Sequence, residues 1–346
     1  MPPRPSSPRR LLLLVLALLV LLFLILLYLP YPVSSGEVVL VIEQGMSRRA
    51  IADRLAERGL LASRWPFLLY VYTHGGQTLK AGEYSFRGRL SALDVFDKLA
   101  RGEVHLYPLT IPEGYTRWEM ADEVARLALA PRAAFLTATE NVALIRDLAP
   151  EAKTLEGYLF PDTYYFARPA DPAAMARAMV ERFRAVYAAL QVKNINPHKF
   201  SPHQLVTLAS LVEEETGIPE ERGLVAAVFY NRLARNMPLA CDPTVIYAKR
   251  LANGGEFDGF IRVSDLERRS SYNTYLHPSL PPGPIASPGR AALAAALSPH
   301  RSDYLYFVSN LRGGHVFAST SGEHERNVAR YRRLRAQQDQ STNSKQ

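Results

Sequence analysis

The sequence predicts an α+β protein in three parts: an N-terminal transmembrane helix, a small α+β module and a larger mixed α+β domain. An unbroken apolar run covers 11–29, and two strand-then-helix patterns follow within 37–105. Further strand and helix patterns occupy 106–333, and the polar residues 334–346 predict a disordered tail. With 346 residues, the chain has room for about two domains beyond the apolar run.

The composition is typical of a folded protein that is stabilised by packing. Apolar residues make up 48% of the chain and charged residues 21%. The formal net charge is +8, but basic and acidic residues are interleaved and no basic-aromatic module is present, so nucleic acid is not predicted as a partner. The single cysteine, Cys241, excludes an intramolecular disulfide, and no pattern around it supports a nucleophile.

The apolar run at 11–29 predicts a membrane anchor. At about 1.5 Å per residue it is long enough to cross a hydrocarbon core of about 30 Å. Arginines precede the run, and 30–41 contains no lysine or arginine, so the positive-inside rule makes 1–10 a cytoplasmic tail and places the rest of the chain outside. A cleaved signal peptide is the competing interpretation. The aromatic pair Tyr28 and Tyr31 stands where small residues would mark a cleavage site, which favours the anchor.

The segment 37–105 predicts a small module. A β-branched strand at 37–42 is followed by a helix starting at Ser47, and a second strand at 82–86 is followed by a helix that Ser91 caps. In its order of strand, helix and strand, the module resembles a LysM-like glycan-binding domain. A spacer that lifts the next domain off the membrane is the alternative.

The larger domain begins with a predicted strand at 106–111, a turn at 112–114 and a helix near Trp118. Further along, 155–164 combines aromatic residues with carboxyl and hydroxyl groups, among them Glu156. Such a segment could line a sugar cleft, because aromatic rings stack on pyranose rings while carboxylates bind hydroxyls. Core packing with a simple turn is the alternative interpretation.

Residues 203–216 predict a helix that begins after Ser201 and Pro202. At about 100° per residue, one face of this helix is apolar. The residues of that face are Leu205, Val206, Leu208, Ala209, Leu211 and Val212. Glu214 is predicted to point away from this face towards water, whereas Glu213 and Glu215 border it.

A carboxyl group held against apolar neighbours has a raised pKa, because desolvation disfavours its charged form. It can then stay protonated near neutral pH and donate a proton to a glycosidic oxygen. Taken alone, a glutamate at the border of an apolar face is more often a boundary residue or a salt-bridge partner. The helix alone leaves both interpretations open.

A series of short segments, in order along the chain, resembles the MltG (YceG-like) family of endolytic murein transglycosylases. These segments are 155–164, 208–215, 227–233, 237–239, 242–247, 272–275, 283–289, 304–308 and 313–317. Together with the anchor, they extend the resemblance over almost the whole external chain. Each segment is weakly specific alone, but their order is highly specific.

The resemblance implies a lytic transglycosylase that cleaves between N-acetylmuramic acid and N-acetylglucosamine in nascent strands. One glutamate would act first as acid and then as base, and the product would have a 1,6-anhydro end. The family's catalytic glutamate matches Glu215, and Glu213 is kept as the second candidate. Polar residues in the matched segments are expected to bind the sugars: Asn231, Asp242, Thr244, Tyr272, Asn273, Tyr275 and Glu156. Asp242 and Asn273 also suit turns, and His315 is expected to be structural.

The chain lacks a Gly-rich phosphate loop, an HExxH motif and a GxSxG motif, so no metal or nucleotide cofactor is predicted. The predicted partners are peptidoglycan glycan strands and the cytoplasmic membrane; peptidoglycan synthases and division or elongation proteins remain open. One rival function is a lysozyme-type hydrolase, with Glu215 as acid and Asp242 or Glu156 as second carboxylate. The other is a non-enzymatic wall-binding scaffold.

Overall fold

A computed structural model describes residues 8–74, 76–191 and 199–343, and confirms a mixed α+β protein with an apolar N-terminal helix. The contacts divide the chain into two compact units. The first contains the chain up to Tyr107 together with Tyr165–Pro169, and the second contains Pro108–Tyr164 and Ala170–Gln346. The sequence placed the boundary between 105 and 106, two residues earlier.

The first unit is built on an antiparallel pair of strands covered by helices. Its elements are α1 (Pro8–Tyr28), β1 (Tyr31–Ile42), α2 (Arg48–Glu57), α3 (Arg64–Thr73), β2 (Gly82–Leu90) and α4 (Ala92–Arg101). Ser47 caps α2 and Ser91 forms a capping box with Asp94 at α4, as their positions predicted. The sequence missed α3, whose apolar residues do not follow a single helical face.

The second unit is mainly helical. Its elements, with the strands at its border, are β3 (Tyr107–Thr110), α5 (Arg117–Arg126), α6 (Arg132–Ala138), β4 (Thr163–Phe166), α7 (Pro172–Gln191), α8 (Pro202–Glu215), α9 (Pro219–Ala234), α10 (Asp242–Ala252), α11 (Val263–Leu266), α12 (Arg290–Leu297), β5 (Tyr306–Ser309), β6 (His315–Ala318) and α13 (Ser321–Asn343). A 3₁₀ turn, Val142–Ile145, follows α6. The strands form two-stranded sheets, β3 with β4 and β5 with β6.

Helix α8 is the central helix of this unit and packs against α9, α10 and α12. Ser201 and Gln204 form a capping box at its start, with Pro202 in the first turn, as predicted. The sequence predicted one apolar face, but residues 205–212 are buried all round. This is tolerated because the two polar residues in the run are bonded: Thr207 donates to the His203 carbonyl and Ser210 to the Thr207 carbonyl.

The C-terminal segment differs from the prediction. The described residues 334–343, predicted to be disordered, continue α13, while 344–346 lie outside the described residues. The segment is rich in arginine, glutamine and alanine, which favour helix, and it extends a helix that has already started, so no new nucleation is needed. Most of the predicted cytoplasmic tail, 1–7, also lies outside the described residues.

Candidate active site

Three consecutive glutamates end α8, and each has a different environment. Glu214 is exposed, whereas Glu213 and Glu215 are half-buried, as the helical pattern predicted. The three side chains therefore point into different surroundings, although they are neighbours in the chain.

Glu213 is held by two donors. Arg222 Nη2 on α9 donates to its Oε1 at 2.9 Å, and the Gly289 backbone N–H donates to its Oε2 at 2.8 Å. Arg222 also lies 3.6 Å from Glu113, so this guanidinium bridges two carboxylates. Burial raises the pKa of Glu213, although the Gly289 N–H and the Arg222 charge act in the opposite direction. Both oxygens of Glu213 are thus occupied by protein groups.

Glu215 has a different neighbour, the thiol of Cys241, which donates from Sγ to Oε2 at 3.3 Å. Among the described residues, no hydrogen bond reaches the other oxygen, Oε1. Burial raises the pKa of Glu215; the thiol and the charge of His315 oppose this rise, and the charge of Asp242 adds to it. Glu215 is therefore a half-buried carboxyl that favours its protonated form and keeps one oxygen available.

Cys241 is fixed by a network of hydroxyl groups. Its backbone N–H donates to Thr274 Oγ1 at 3.1 Å, and the Thr244 hydroxyl donates to its carbonyl oxygen at 2.6 Å. The two threonine hydroxyls are 2.9 Å apart. Since Cys241 is buried, this network sets the position from which the thiol meets Glu215.

Glu214 differs from both of its neighbours. Desolvation by the surrounding protein raises the pKa of Glu214 to about 7, and the negative charges of Glu119 and Glu213 also raise it. Its Oε1 lies against Gly114, where an added Cβ would come within 2.7 Å. Gly114 has φ +80, a conformation that suits glycine, so this turn allows the carboxyl to approach closely. The side chain is nevertheless exposed. Contact with water stabilises its charged form and so opposes the rise in its pKa.

Two predicted sugar-binding residues lie next to Glu215. The Tyr275 hydroxyl donates to Asp242 Oδ1. The charge of Asp242 raises the pKa of Glu215, and the charge of Glu215 raises that of Tyr275. Asp242 is exposed and Tyr275 is half-buried. A carboxylate and a phenol therefore lie close to the candidate acid.

Three other predicted sugar-binding residues form hydrogen bonds with groups of the protein itself. Asn231 Nδ2 donates to the carbonyls of Ser302 and Tyr304, at 2.8 and 2.9 Å. The buried Asn273 Nδ2 donates to the carbonyls of Leu266 and Arg268, each at 2.9 Å. Thr244 is fully buried in the Cys241 network. In this structure these side chains hold loops around the site, and their contact with substrate stays a prediction.

The remaining two predicted residues, Glu156 and Tyr272, lie elsewhere, along a cavity of about 240 Å³ that His203 also lines. Helix α8 has 14 residues, so about 20 Å separate its His203 end from its Glu215 end. Glu156 accepts from the Arg117 backbone N–H at 3.0 Å and from the Tyr247 hydroxyl at 3.3 Å. Burial raises its pKa to about 7, against these bonds and the Arg117 charge. The structure thus places a second buried carboxyl away from Glu215.

Sequence reasoning missed the groups that set the environment of the glutamates. Sequence patterns gave Cys241 no role, yet its thiol donates to Glu215 across 26 positions, and the Gly289 N–H donates to Glu213 across 76. No local sequence pattern predicts contacts between residues so far apart in the chain. His315, which the sequence predicts to be structural, has its Nδ1 2.7 Å from Glu221 Oε2, and its charge also acts on Glu215. In the described residues 8–74, 76–191 and 199–343, no group of His, Cys, Asp and Glu could hold a metal ion.

Comparison with known proteins gives consistent results. The model of the YceG-like family matches residues 40–330. An endolytic murein transglycosylase of Bacillus subtilis is 33% identical over 314 residues, covering 86% of each chain. An endolytic murein transglycosylase of Streptococcus pneumoniae is 32% identical over 336 residues, covering 88% of this chain and 60% of the relative.

The fold is also that of a solved relative. The crystal structure of a YceG-like protein from Listeria monocytogenes matches with a TM-score of 0.56 and 32% identity, over 85% of this chain and 99% of that one. The resemblance drawn from the short segments is therefore confirmed, and the chain belongs to the YceG-like family.

Proposed function

We propose that this chain is an endolytic murein transglycosylase in which Glu215 is both acid and base. The relatives that share a third of its sequence bear this name. The observation that supports the choice of residue is the environment of Glu215: a raised pKa, one oxygen bonded by a buried thiol, and the other oxygen without a protein donor among the described residues. Glu213 is the weaker candidate because Arg222 and Gly289 occupy both of its oxygens.

In the first step, the protonated Glu215 donates its proton to the glycosidic oxygen as the bond from that oxygen to C1 of N-acetylmuramic acid breaks. The Cys241 thiol donates to Oε2, so the proton is held on Oε1, the oxygen without a protein donor. Burial raises the pKa of Glu215, which favours this acid form over that of an ordinary glutamate, as a general acid requires.

In the second step, the Glu215 carboxylate takes the proton of the muramic C6 hydroxyl while O6 attacks C1 of the same sugar. The C1–O6 bond replaces the bond that broke, a 1,6-anhydro end forms, and Glu215 regains its proton. No water is consumed. Attack from within one sugar benefits from a high effective concentration, so no second carboxylate is needed as nucleophile.

We assign direct substrate contact to Asp242 and Tyr275, because they lie beside Glu215 and are at least partly accessible. Asn231, Thr244 and Asn273 would act through the loops that they hold. Tyr272 and Glu156 would act only if the substrate reached the cavity at the other end of α8. The substrate-binding role of all seven residues stays a prediction.

The N-terminal helix supports a single-pass anchor in the cytoplasmic membrane. Within the described part of the chain, α1 is the one helix long and apolar enough to span a membrane, and a helix of this kind at the N-terminus is either an anchor or a signal sequence. We propose the anchor, with the N-terminus inside and the enzyme outside. The strand, helix, helix, strand order of β1, α2, α3 and β2 is compatible with the LysM-like, glycan-binding role predicted for 37–105.

The hydrolase rival needs two carboxylates flanking one sugar bond, about 5–9.5 Å apart. Glu156 suits this role poorly, because it is 3% exposed and both its oxygens accept protein hydrogen bonds. Asp242 is exposed close to Glu215 and remains the better second carboxylate. The scaffold rival needs no carboxylate chemistry at all.

The test is digestion of uncrosslinked glycan strands by the full chain in detergent micelles, with mass spectrometry of the fragments. Internal fragments with 1,6-anhydro ends are expected. Reducing ends would favour the lysozyme-type hydrolase, and intact strands would favour the scaffold. Removal of fragments only from strand termini would contradict endolytic cleavage.

A further inference from the structure

Helix α3 exposes a compact apolar face. Trp65, Leu69 and Tyr72 are 64%, 54% and 59% exposed, and at about 100° per residue they fall within about 60° of one another. The opposite side of α3 buries Phe67 and Val71 in the core of the first unit. No other part of the described chain covers this second apolar face, and contiguous exposed apolar patches often mark protein or membrane interaction sites.

The end of α1 packs against the same unit. Leu27 is 2% exposed within its core, Phe23 packs beside it, and α1 contacts both α3 and α4. Phe23 and Leu27 lie in the last two turns of the apolar run, both within about 7 Å of helix before Tyr28. If α1 spans the membrane, the elements that contact these two residues lie at the depth of the outer lipid leaflet.

The exposed face also has the chemistry of a membrane interface. The Arg64 guanidinium lies 4.7 Å from the centre of the Trp65 ring, and that of Arg48 lies 5.8 Å from the centre of the Tyr72 ring. Tryptophan and tyrosine concentrate at the level of lipid headgroups. Arginine there is attracted to anionic lipids, although the charge of Arg64 is also paired with Asp53. The helix that carries this face packs against α1, which favours lipid over a soluble protein as the partner of the face.

We propose that α3 is an interfacial helix, with Trp65, Leu69 and Tyr72 inserted into the outer leaflet beside α1. This inference rests on the proposed anchor. The geometry is that of a helix lying in the plane of the interface with its apolar face about 5–10 Å deep. The first unit is then attached to the bilayer at two places, α1 and α3. Its orientation relative to the membrane therefore does not depend only on the two residues between α1 and β1.

The chain offers a direct probe, because it has only two tryptophans, Trp65 and Trp118. Trp118 is 4% exposed and belongs to the second unit. The full chain is reconstituted into vesicles of phosphatidylcholine and phosphatidylglycerol whose acyl chains carry bromine near the headgroup. Trp118→Phe isolates the emission of Trp65, and Trp65→Phe is the matched control that isolates Trp118.

We expect brominated lipid to remove most of the Trp65 emission, relative to the same lipid without bromine, and to leave that of Trp118 unchanged. Should Trp118→Phe fail to fold, the difference between the unsubstituted chain and Trp65→Phe gives the same quantity. Alkaline washing of the vesicles, done in parallel, reports on the anchor.

Three results would overturn the inference. If the chain stays in washed vesicles but Trp65 is unquenched and open to aqueous iodide, α3 faces water while the anchor stands. If Trp65 is shielded from both iodide and bromine, a second copy or another protein covers α3. If washing releases the chain, the anchor fails and the inference fails with it.

Discussion

A carboxyl group with a raised pKa lies near each end of α8, and only one of the two suits catalysis. Glu156, near the His203 end, accepts from a backbone N–H and a tyrosine hydroxyl and is 3% exposed. Glu215, at the other end, accepts one hydrogen bond from a thiol and keeps Oε1 available. Burial raises the pKa of both groups, but a proton donor must also reach its substrate. A raised pKa therefore identifies candidates, and the pattern of hydrogen bonds distinguishes Glu215 from Glu156. Glu214, whose pKa is also raised, differs from both because it is exposed.

The same contrast holds between residues two positions apart. The side chain of Glu213 is 6% exposed and is paired with Arg222, which makes it part of the framework between α8 and α9. We infer that Glu213 positions the end of α8 and that Glu215 performs the chemistry. The following predictions test this division.

The largest effect is expected for Glu215→Gln. The amide keeps the size of the side chain but can neither donate nor accept the proton, and general acid–base catalysis contributes about 10²–10⁴-fold to a rate. We expect the rate of anhydro-end formation to fall by about 10³-fold or more. The control Glu214→Gln, at the exposed neighbour, should stay within about threefold of the unsubstituted enzyme. Equal losses in both variants would contradict the assignment.

The next effect is on stability. Glu213→Gln leaves the Arg222 charge, 10% exposed, without its nearest partner, and breaking a buried pair costs about 3–5 kcal/mol. Because Glu113 remains 3.6 Å from Arg222, we expect a loss of about 3 kcal/mol in the free energy of unfolding, measured with urea. Activity per folded molecule should survive. The control Glu123→Gln removes an exposed pair with Arg126 and should change stability by less than about 1 kcal/mol.

A third prediction concerns pH and Glu156. Its pKa in the folded protein is about 7, above the ordinary value of 4.5, so the folded state holds this proton more tightly than the unfolded state. The contribution of Glu156 to the free energy of unfolding is complete below about pH 4.5. It is lost as pH rises to about 7, by an amount on the order of 3 kcal/mol. Glu156→Gln is always neutral, so its urea midpoint should fall less between pH 5 and pH 8. An unchanged pH dependence would show that Glu156 is ionised in the folded protein.

The smallest effect is expected at Cys241. The thiol donates to Glu215 and lowers its pKa, so Cys241→Ala should raise that pKa further. Since Glu215 acts first as an acid, activity falls as pH rises through its pKa, and the alkaline limb of kcat/KM should move to higher pH. Cys241→Ser keeps a donor and should restore the limb, with rates within about tenfold in both variants. A limb that does not move in the alanine variant would contradict the role of the thiol.

Local rules predicted the elements that local chemistry determines. The start of α8 at Ser201 and Pro202, its C-terminal glutamates and their division into one exposed and two half-buried side chains followed from capping and helical period. The pairing of Glu213 with Arg222 and of Glu215 with Cys241 did not, because it depends on how α9 and α10 pack against α8. Helix α3 was missed because its exposed apolar residues obscure the helical spacing of its buried ones.

The central claim is that one carboxyl group cuts the strand without a water molecule. Its most direct test is digestion of glycan strands in water enriched in oxygen-18, with mass spectrometry of every new chain end. We predict anhydro ends that contain no oxygen-18, and no new ends from Glu215→Gln. Incorporation of one oxygen-18 atom at each cut, or full activity in Glu215→Gln, would contradict the account.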